Sequence, residues 1–253
     1  MIGGGPGEQR EGRVLNRVIR ITEEGWEYEA DQRHADILID ELGLREANAV
    51  QSPCEEEKVW EREENQESLG SIEQTRYRTL AARANYLSTD RPDIMFAVKE
   101  ICQSMSSPSR GAWKKLKRLG RYLVAHPRAV LQYHWRGEER DVDGFTDSDW
   151  AGCKNTGKST SGGAIMIGEH FIKGYSRTQK AITLSSAEAE LVAMVKMSSE
   201  VLGVLGMMKD WNIAGKGTIW ADSSAALAIR KRRGAGKMRH INVGMLWIQE
   251  KAI

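Results

Sequence analysis

The chain has 253 residues, 40% of them hydrophobic, and a net charge of +2, which suits one large or two small domains of ordinary composition. Its three cysteines, 54, 102 and 153, are odd in number and far apart, with no Cys pair at two-residue spacing and no His pair near them, which argues against a disulfide framework and a zinc site. The expected setting is therefore reducing and intracellular, cytoplasmic or nuclear. No apolar run is expected to span a membrane and no membrane partner follows.

Met1-Ile-Gly-Gly-Gly-Pro-Gly7 reads as a flexible lead-in. From Arg13 to Glu29 the loose alternation of Val14, Leu15, Val18, Ile19 and Ile21, a turn at Glu24-Gly25, and then Trp26 and Tyr28 predicts a hairpin. Asp31 to Leu42 carries apolar residues at 35, 37, 38, 39 and 42 and stops at Gly43, a helix with a glycine end signal. These elements alone make a poor core, so residues 1–52 read as the end of something larger.

The charge is unevenly spread. Residues 55–75 hold eight glutamates against Lys58 and Arg62, a net −6, whereas residues 76–135 hold twelve Lys or Arg against Asp90, Asp93 and Glu100, a net +9. Residues 53–75 are thus expected to be an exposed acidic linker, and 76–136 a basic helical module. Three helices are expected there: one with Tyr77, Leu80, Ala84 and Leu87 on its apolar face, one starting after Arg91-Pro92, and one defined by Trp113, Leu116, Leu119 and Leu123. Arg110, Lys114, Lys115, Lys117, Arg118 and Arg121 lie on the polar faces. Such a run is either a solvated helix face or a track for a phosphate backbone.

From Val130 strands are expected at 130–135 and 142–150, then a hairpin around Gly168-Glu169, a long helix at about 186–210, a strand at 217–221, helices at about 223–232 and 238–250, and a basic loop Arg230-Lys-Arg-Arg-Gly234. Strands first, then strand alternating with helix, imply an α/β mixed sheet covered by helices.

Within it, the acids 141, 143, 147 and 149 share odd parity, so in a strand they project from one face while Val142, Thr146 and Trp150 project from the other. A buried lone Asp147 would be costly and would want a metal or a base; Asp149 reads as a loop acid beyond the strand. Ser185 and Glu188 have capping-box spacing, which leaves Glu190 as the next free carboxylate, followed by Asp222 at the end of a strand. Taken singly, Glu190 also reads as a solvated acid and Asp222 as a helix cap. Together, Asp147, Glu190 and Asp222 are the pattern of a divalent-cation site suited to phosphodiester hydrolysis, with Mg²⁺ (or Mn²⁺) as the ion that favours oxygen ligands.

The motifs Phe145-Thr-Asp-Ser-Asp-Trp-Ala-Gly-Cys153, Lys158-Ser-Thr-Ser-Gly-Gly163, Thr183-Leu-Ser-Ser-Ala-Glu-Ala-Glu-Leu191, Ala221-Asp-Ser-Ser-Ala225 and Arg239-His-Ile241 resemble the ribonuclease H region of copia-type LTR retrotransposon polyproteins. Upstream, Tyr77-Arg-Thr-Leu80, Arg91-Pro-Asp-Ile-Met-Phe-Ala97 and Met105-Ser-Ser-Pro108 resemble the segment joining polymerase to nuclease in the same polyproteins. The resemblance implies a remnant of the reverse transcriptase end at 1–52 and a ribonuclease H-like domain at 137–253. For that domain the resemblance implies that Asp147, Glu190 and Asp222 are the catalytic acids of a two-metal Mg²⁺ site. The implied substrate is the RNA strand of an RNA–DNA hybrid, and the implied partner is the upstream reverse transcriptase portion. Arg110, Lys114, Lys117, Arg118, Arg121, Lys158 and Ser159 are the expected nucleic-acid contacts. The family's paired polymerase aspartates are absent, and its fourth acid follows the Arg-His-Ile helix, so the expectation is a nuclease domain lacking its last strand and helix and impaired by that lack. His240 is read as a structural residue. The alternatives are an inactive hybrid-binding or scaffold segment, and an accessory that acts only with the polymerase portion.

Overall fold

The computed structural model describes residues 2–55, 66–135, 139–153, 156–234 and 243–250. The chain is α/β and divides into two compact units, 1–135 and 136–253.

The first unit begins with strands β1 (Glu11–Val14), β2 (Arg17–Ile21) and β3 (Gly25–Glu29). The expected hairpin is in fact a three-strand meander. Its first reversal falls at Leu15-Asn16, whose positive φ values of 51° and 65° make a tight two-residue turn. Leucine is a poor turn signal, so this reversal is hidden in an apolar run. Helix α1 (Arg33–Glu41) follows, then α2 (Ser71–Ser88), a 3₁₀ turn at Pro92–Ile94, α3 (Met95–Gln103) and α4 (Arg110–Ala125). Strand β4 (Val130–His134), which reads in sequence with the strands after it, pairs antiparallel with β3, Glu29 opposite Val130, and closes the sheet order β1-β2-β3-β4.

One core serves this unit. Leu38 of α1, Tyr77 and Leu80 of α2, Ile101 of α3 and Leu116 and Leu119 of α4 are all buried, and the Tyr77 hydroxyl donates to the Ile101 carbonyl at 2.7 Å. The apolar surface that residues 1–52 cannot cover alone is covered by α2–α4. Arg91 is 1% exposed. It is forked onto Asp93 (2.7 Å) and donates to the carbonyls of His126 and Pro127, so the turn before α3 is tied to the end of α4. Most of the acidic stretch, residues 56–65, lies outside the described residues; its flanks, Glu55 and Glu67, pair with Arg118 and Arg110 of α4.

The second unit holds β5 (Val142–Cys153), β6 (Lys158–Ile167), β7 (His170–Thr178), α5 (Ser186–Asp210), β8 (Gly217–Trp220), α6 (Ser224–Lys231) and a 3₁₀ segment, Val243–Glu250. The sheet order is β7-β6-β5-β8, with β5, β6 and β7 antiparallel and β8 parallel to β5. The last expected helix, 238–250, is 3₁₀ where it is described; residues 235–242, including His240, lie outside the described residues.

Helix α5 packs on this sheet at two glycines. A Cβ on Gly144 of β5 would come within 2.8 Å of Met197 and Val201, and Gly163 of β6 likewise faces Met197. Only the absence of a side chain lets the helix approach this closely. By length and composition α5 would suffice to cross a membrane, contrary to the sequence expectation. Its Leu191, Met194, Met197 and Val201 are buried within the unit, as in a core helix of a globular domain.

Candidate metal centre

The parity read from β5 is present in the structure. Val142, Gly144 and Thr146 are buried beneath α5, while Phe145, Asp147 and Asp149 are exposed. Asp149 is still within the strand, opposite Thr160, and is not a loop acid. The register breaks between Asp149 and Cys153, and with Ala151 at φ 53° the chain swings Trp150 out to solvent, off the parity pattern.

Strands β5 and β8 are paired only as far as Phe145 opposite Trp220. Asp147 and Asp222 each lie two residues further on, so the parallel register delivers both acids to the same level, just past the point where β8 ends and β5 runs on. Glu190 comes from the helix. Ser185 caps α5 by accepting from the Glu188 N–H at 3.2 Å, and the Glu188 carboxylate accepts from the Leu184 N–H at 2.8 Å. With Glu188 turned back over the helix start, Glu190, about 200° further round, faces the sheet. Ligand oxygens of Asp147, Glu190 and Asp222 lie within 4.8 Å of one another.

The burial is the reverse of the sequence expectation. Asp147 is exposed, as is Asp222, and Glu190 is the buried acid at 7% exposure. Parity says which face a side chain takes, not whether that face is covered. The Glu190 Oε1 accepts from the Ser148 N–H (3.1 Å) and hydroxyl (2.8 Å), whereas its Oε2 is buried without a hydrogen-bond partner among the described residues. Burial pushes the Glu190 carboxyl above its ordinary range; the Ser148 donors oppose this, and the charges of Asp147 and Asp222 add to it. A buried, unsatisfied carboxylate oxygen beside two further acids fits a hard divalent cation, because all three donors are oxygens.

The expected nucleic-acid contacts divide. Lys114 and Lys117 are exposed, with no ion-pair partner among the described residues. Arg110 and Arg118 are held by Glu67 and Glu55, and Arg121 donates to the Asn48 carbonyl at 2.6 Å. Lys158 is half-buried at the start of β6. Ser159 is a correction: it is fully buried, accepts from the Ala151 N–H at 3.1 Å and shares a hydrogen bond with Thr183 at 2.8 Å, so it braces the turn after Asp149 and cannot reach a ligand. Ser148, which clamps Glu190, escapes a reading that looks for acids alone. Its even parity, between two odd acids, is the signal that would have placed it under the helix.

No family model matches the chain. Among curated proteins it is 32% identical over 139 residues to the retrovirus-related Pol polyprotein from transposon RE2 of Arabidopsis thaliana, covering 55% of this chain and 10% of that protein. It is 33% identical over 139 residues to the corresponding polyprotein from transposon RE1 of the same plant, covering 55% and 9%. These likenesses support a copia-type retrotransposon polyprotein segment. A third relative, the Pol polyprotein from transposon TNT 1-94 of Nicotiana tabacum, is 26% identical over 187 residues, covering 73% of this chain and 14% of that protein. The chain spans about a tenth of the length of these curated relatives. Within a copia-type polyprotein the matched stretch is thus a minor segment.

Proposed function

We propose that the second unit is a ribonuclease H-type nuclease that hydrolyses the RNA strand of RNA–DNA hybrids in retrotransposon reverse transcription, using Mg²⁺ or Mn²⁺. The observation that carries this reading is the gathering of Asp147, Glu190 and Asp222, from two strands and a helix, around a buried Glu190 oxygen with no partner among the described residues. These three carboxylates would hold the ions, which supply charge stabilisation at the attacking and leaving oxygens of an in-line displacement. Asp147 and Asp222 face solvent and leave the centre open to a phosphodiester, while Ser148 and the helix keep water from one side of Glu190. Discrimination of RNA from DNA rests on the 2′-hydroxyl. The upstream reverse transcriptase portion of the polyprotein is the natural partner, since it makes the hybrid that this centre consumes.

The test is incubation of the full chain with an end-labelled RNA–DNA hybrid, with Mg²⁺, with Mn²⁺ and with chelator. Cleavage of the RNA strand, absent on duplex DNA and lost in Asp147→Asn, supports the reading. Products that persist at the same rate in Asp147→Asn would remove the site; salt-sensitive hybrid binding without products would leave a hybrid-binding segment in its place.

A further inference from the structure

Glu190 is held by one neighbour in an unusual way. Both donors that Ser148 possesses, its backbone N–H and its hydroxyl, end on the same carboxylate oxygen, Oε1, and none reaches Oε2. A glutamate side chain has three rotatable bonds, and its last torsion is soft, so a single donor would let the carboxylate swing and satisfy either oxygen. Two donors on one oxygen fix that torsion and commit the other oxygen to the acid cluster. The cluster places Asp147, the residue immediately before Ser148, in the same 4.8 Å group, so one dipeptide of β5 supplies both a ligand and the brace of a second ligand.

We propose that Ser148 is a positioning residue that sets the divalent-cation affinity of the centre by orienting Glu190. This rests on reading the three acids as a cation site. Its role differs from theirs: Ser148 offers its donors to Glu190 and acts through that residue. The backbone N–H alone survives in Ser148→Ala, which leaves the carboxylate with one donor and free to turn its buried oxygen away from the cluster. Threonine keeps the hydroxyl and suits a strand, so Ser148→Thr preserves the clamp.

The experiment is titration of the full chain with Mn²⁺ in the absence of nucleic acid, followed by the paramagnetic relaxation of solvent protons and read below the melting transition of each variant. Ser148→Ala is expected to bind Mn²⁺ about tenfold more weakly, the usual effect of losing a ligand's orienting partner. Ser148→Thr is expected to bind as the parent does, and Ser148→Ala combined with Glu190→Gln no more weakly than Glu190→Gln alone. Parental affinity in Ser148→Ala, with affinity lost in Glu190→Gln, would overturn the role of Ser148 and leave the cation site standing. No Mn²⁺ binding by the parent chain would overturn both.

Discussion

Phe145 of β5 and Trp220 of β8 are the last paired residues of the parallel ladder, their rings stacked at 6.3 Å and 12°, and the Trp220 indole N–H donates to Asp143 at 2.8 Å. The aromatic pair locks the register on which the acid cluster depends. A slip of the pairing by one residue would turn Asp222 to the other face and separate it from Asp147.

Glu190→Gln removes one of three clustered negative charges and the only buried one. In metal-free buffer the variant is expected to melt a few degrees above the parent, in keeping with about 1 kcal/mol of relieved repulsion. Mg²⁺ should then raise the melting temperature of the parent and leave the variant unchanged. Calorimetric scans of both, with and without the ion, check this.

Arg91 is buried, and its loss would leave Asp93 with the Tyr122 hydroxyl and solvent and would take a donor from two backbone carbonyls. Arg91→Met is expected to destabilise the first unit by about 1–3 kcal/mol, the usual cost of leaving buried acceptors without a donor. Urea unfolding monitored by far-ultraviolet circular dichroism would read this as a lower midpoint for one of two transitions.

Glu29, 4% exposed, is paired with Arg128 at 2.6 Å and Arg20 at 2.7 Å. The hydrogen bond from Arg128, with help from Arg20, holds its carboxyl below the ordinary value of 4.5 against the opposing effect of burial. A carboxyl depressed in the folded state binds its proton first in the unfolded chain, so its stabilisation is complete above 4.5 and is lost as pH falls through the folded value. Urea midpoints taken downward from about pH 5 should fall more steeply for the parent than for Glu29→Gln.

Lys114 and Lys117 are the cations of α4 left exposed without ion-pair partners among the described residues. Replacing both by alanine is expected to weaken hybrid binding and to flatten its dependence on salt by up to about two logarithmic units per decade, about 0.9 for each phosphate no longer neutralised. Arg110→Ala should change the slope less, because Glu67 already neutralises that guanidinium. Fluorescence anisotropy over a range of salt concentrations separates the two outcomes.

Residue pattern alone took the fold a long way, and its failures have physical causes. The helices of the first unit are legible in their apolar spacing, and α5 in its cap at Ser185. The three acids are legible as acids at the ends of elements, but their meeting depends on the Phe145–Trp220 register and on Gly144 and Gly163, which bring the helix down; neither is visible along one strand. Ser159 is expected as a nucleic-acid contact, yet it lies in a run of three consecutive buried residues, Ser159 to Ser161, and is held by Ala151 and Thr183, a burial that alternation along a strand does not foretell. The basic face of α4 is legible, but not the loss of Arg110, Arg118 and Arg121 to Glu67, Glu55 and Asn48, whose partnership is made only by folding.

The antiparallel pairing of β3 with β4, and the Arg128–Glu29 ion pair beside it across 99 positions, set an order on biosynthesis. A ribosome must pass His134 and thread those last residues clear of its exit tunnel before the first sheet can be completed. At about 5–20 residues per second, the nascent meander therefore waits several seconds with β3 presenting an open edge. During that interval a holding chaperone has its clearest target.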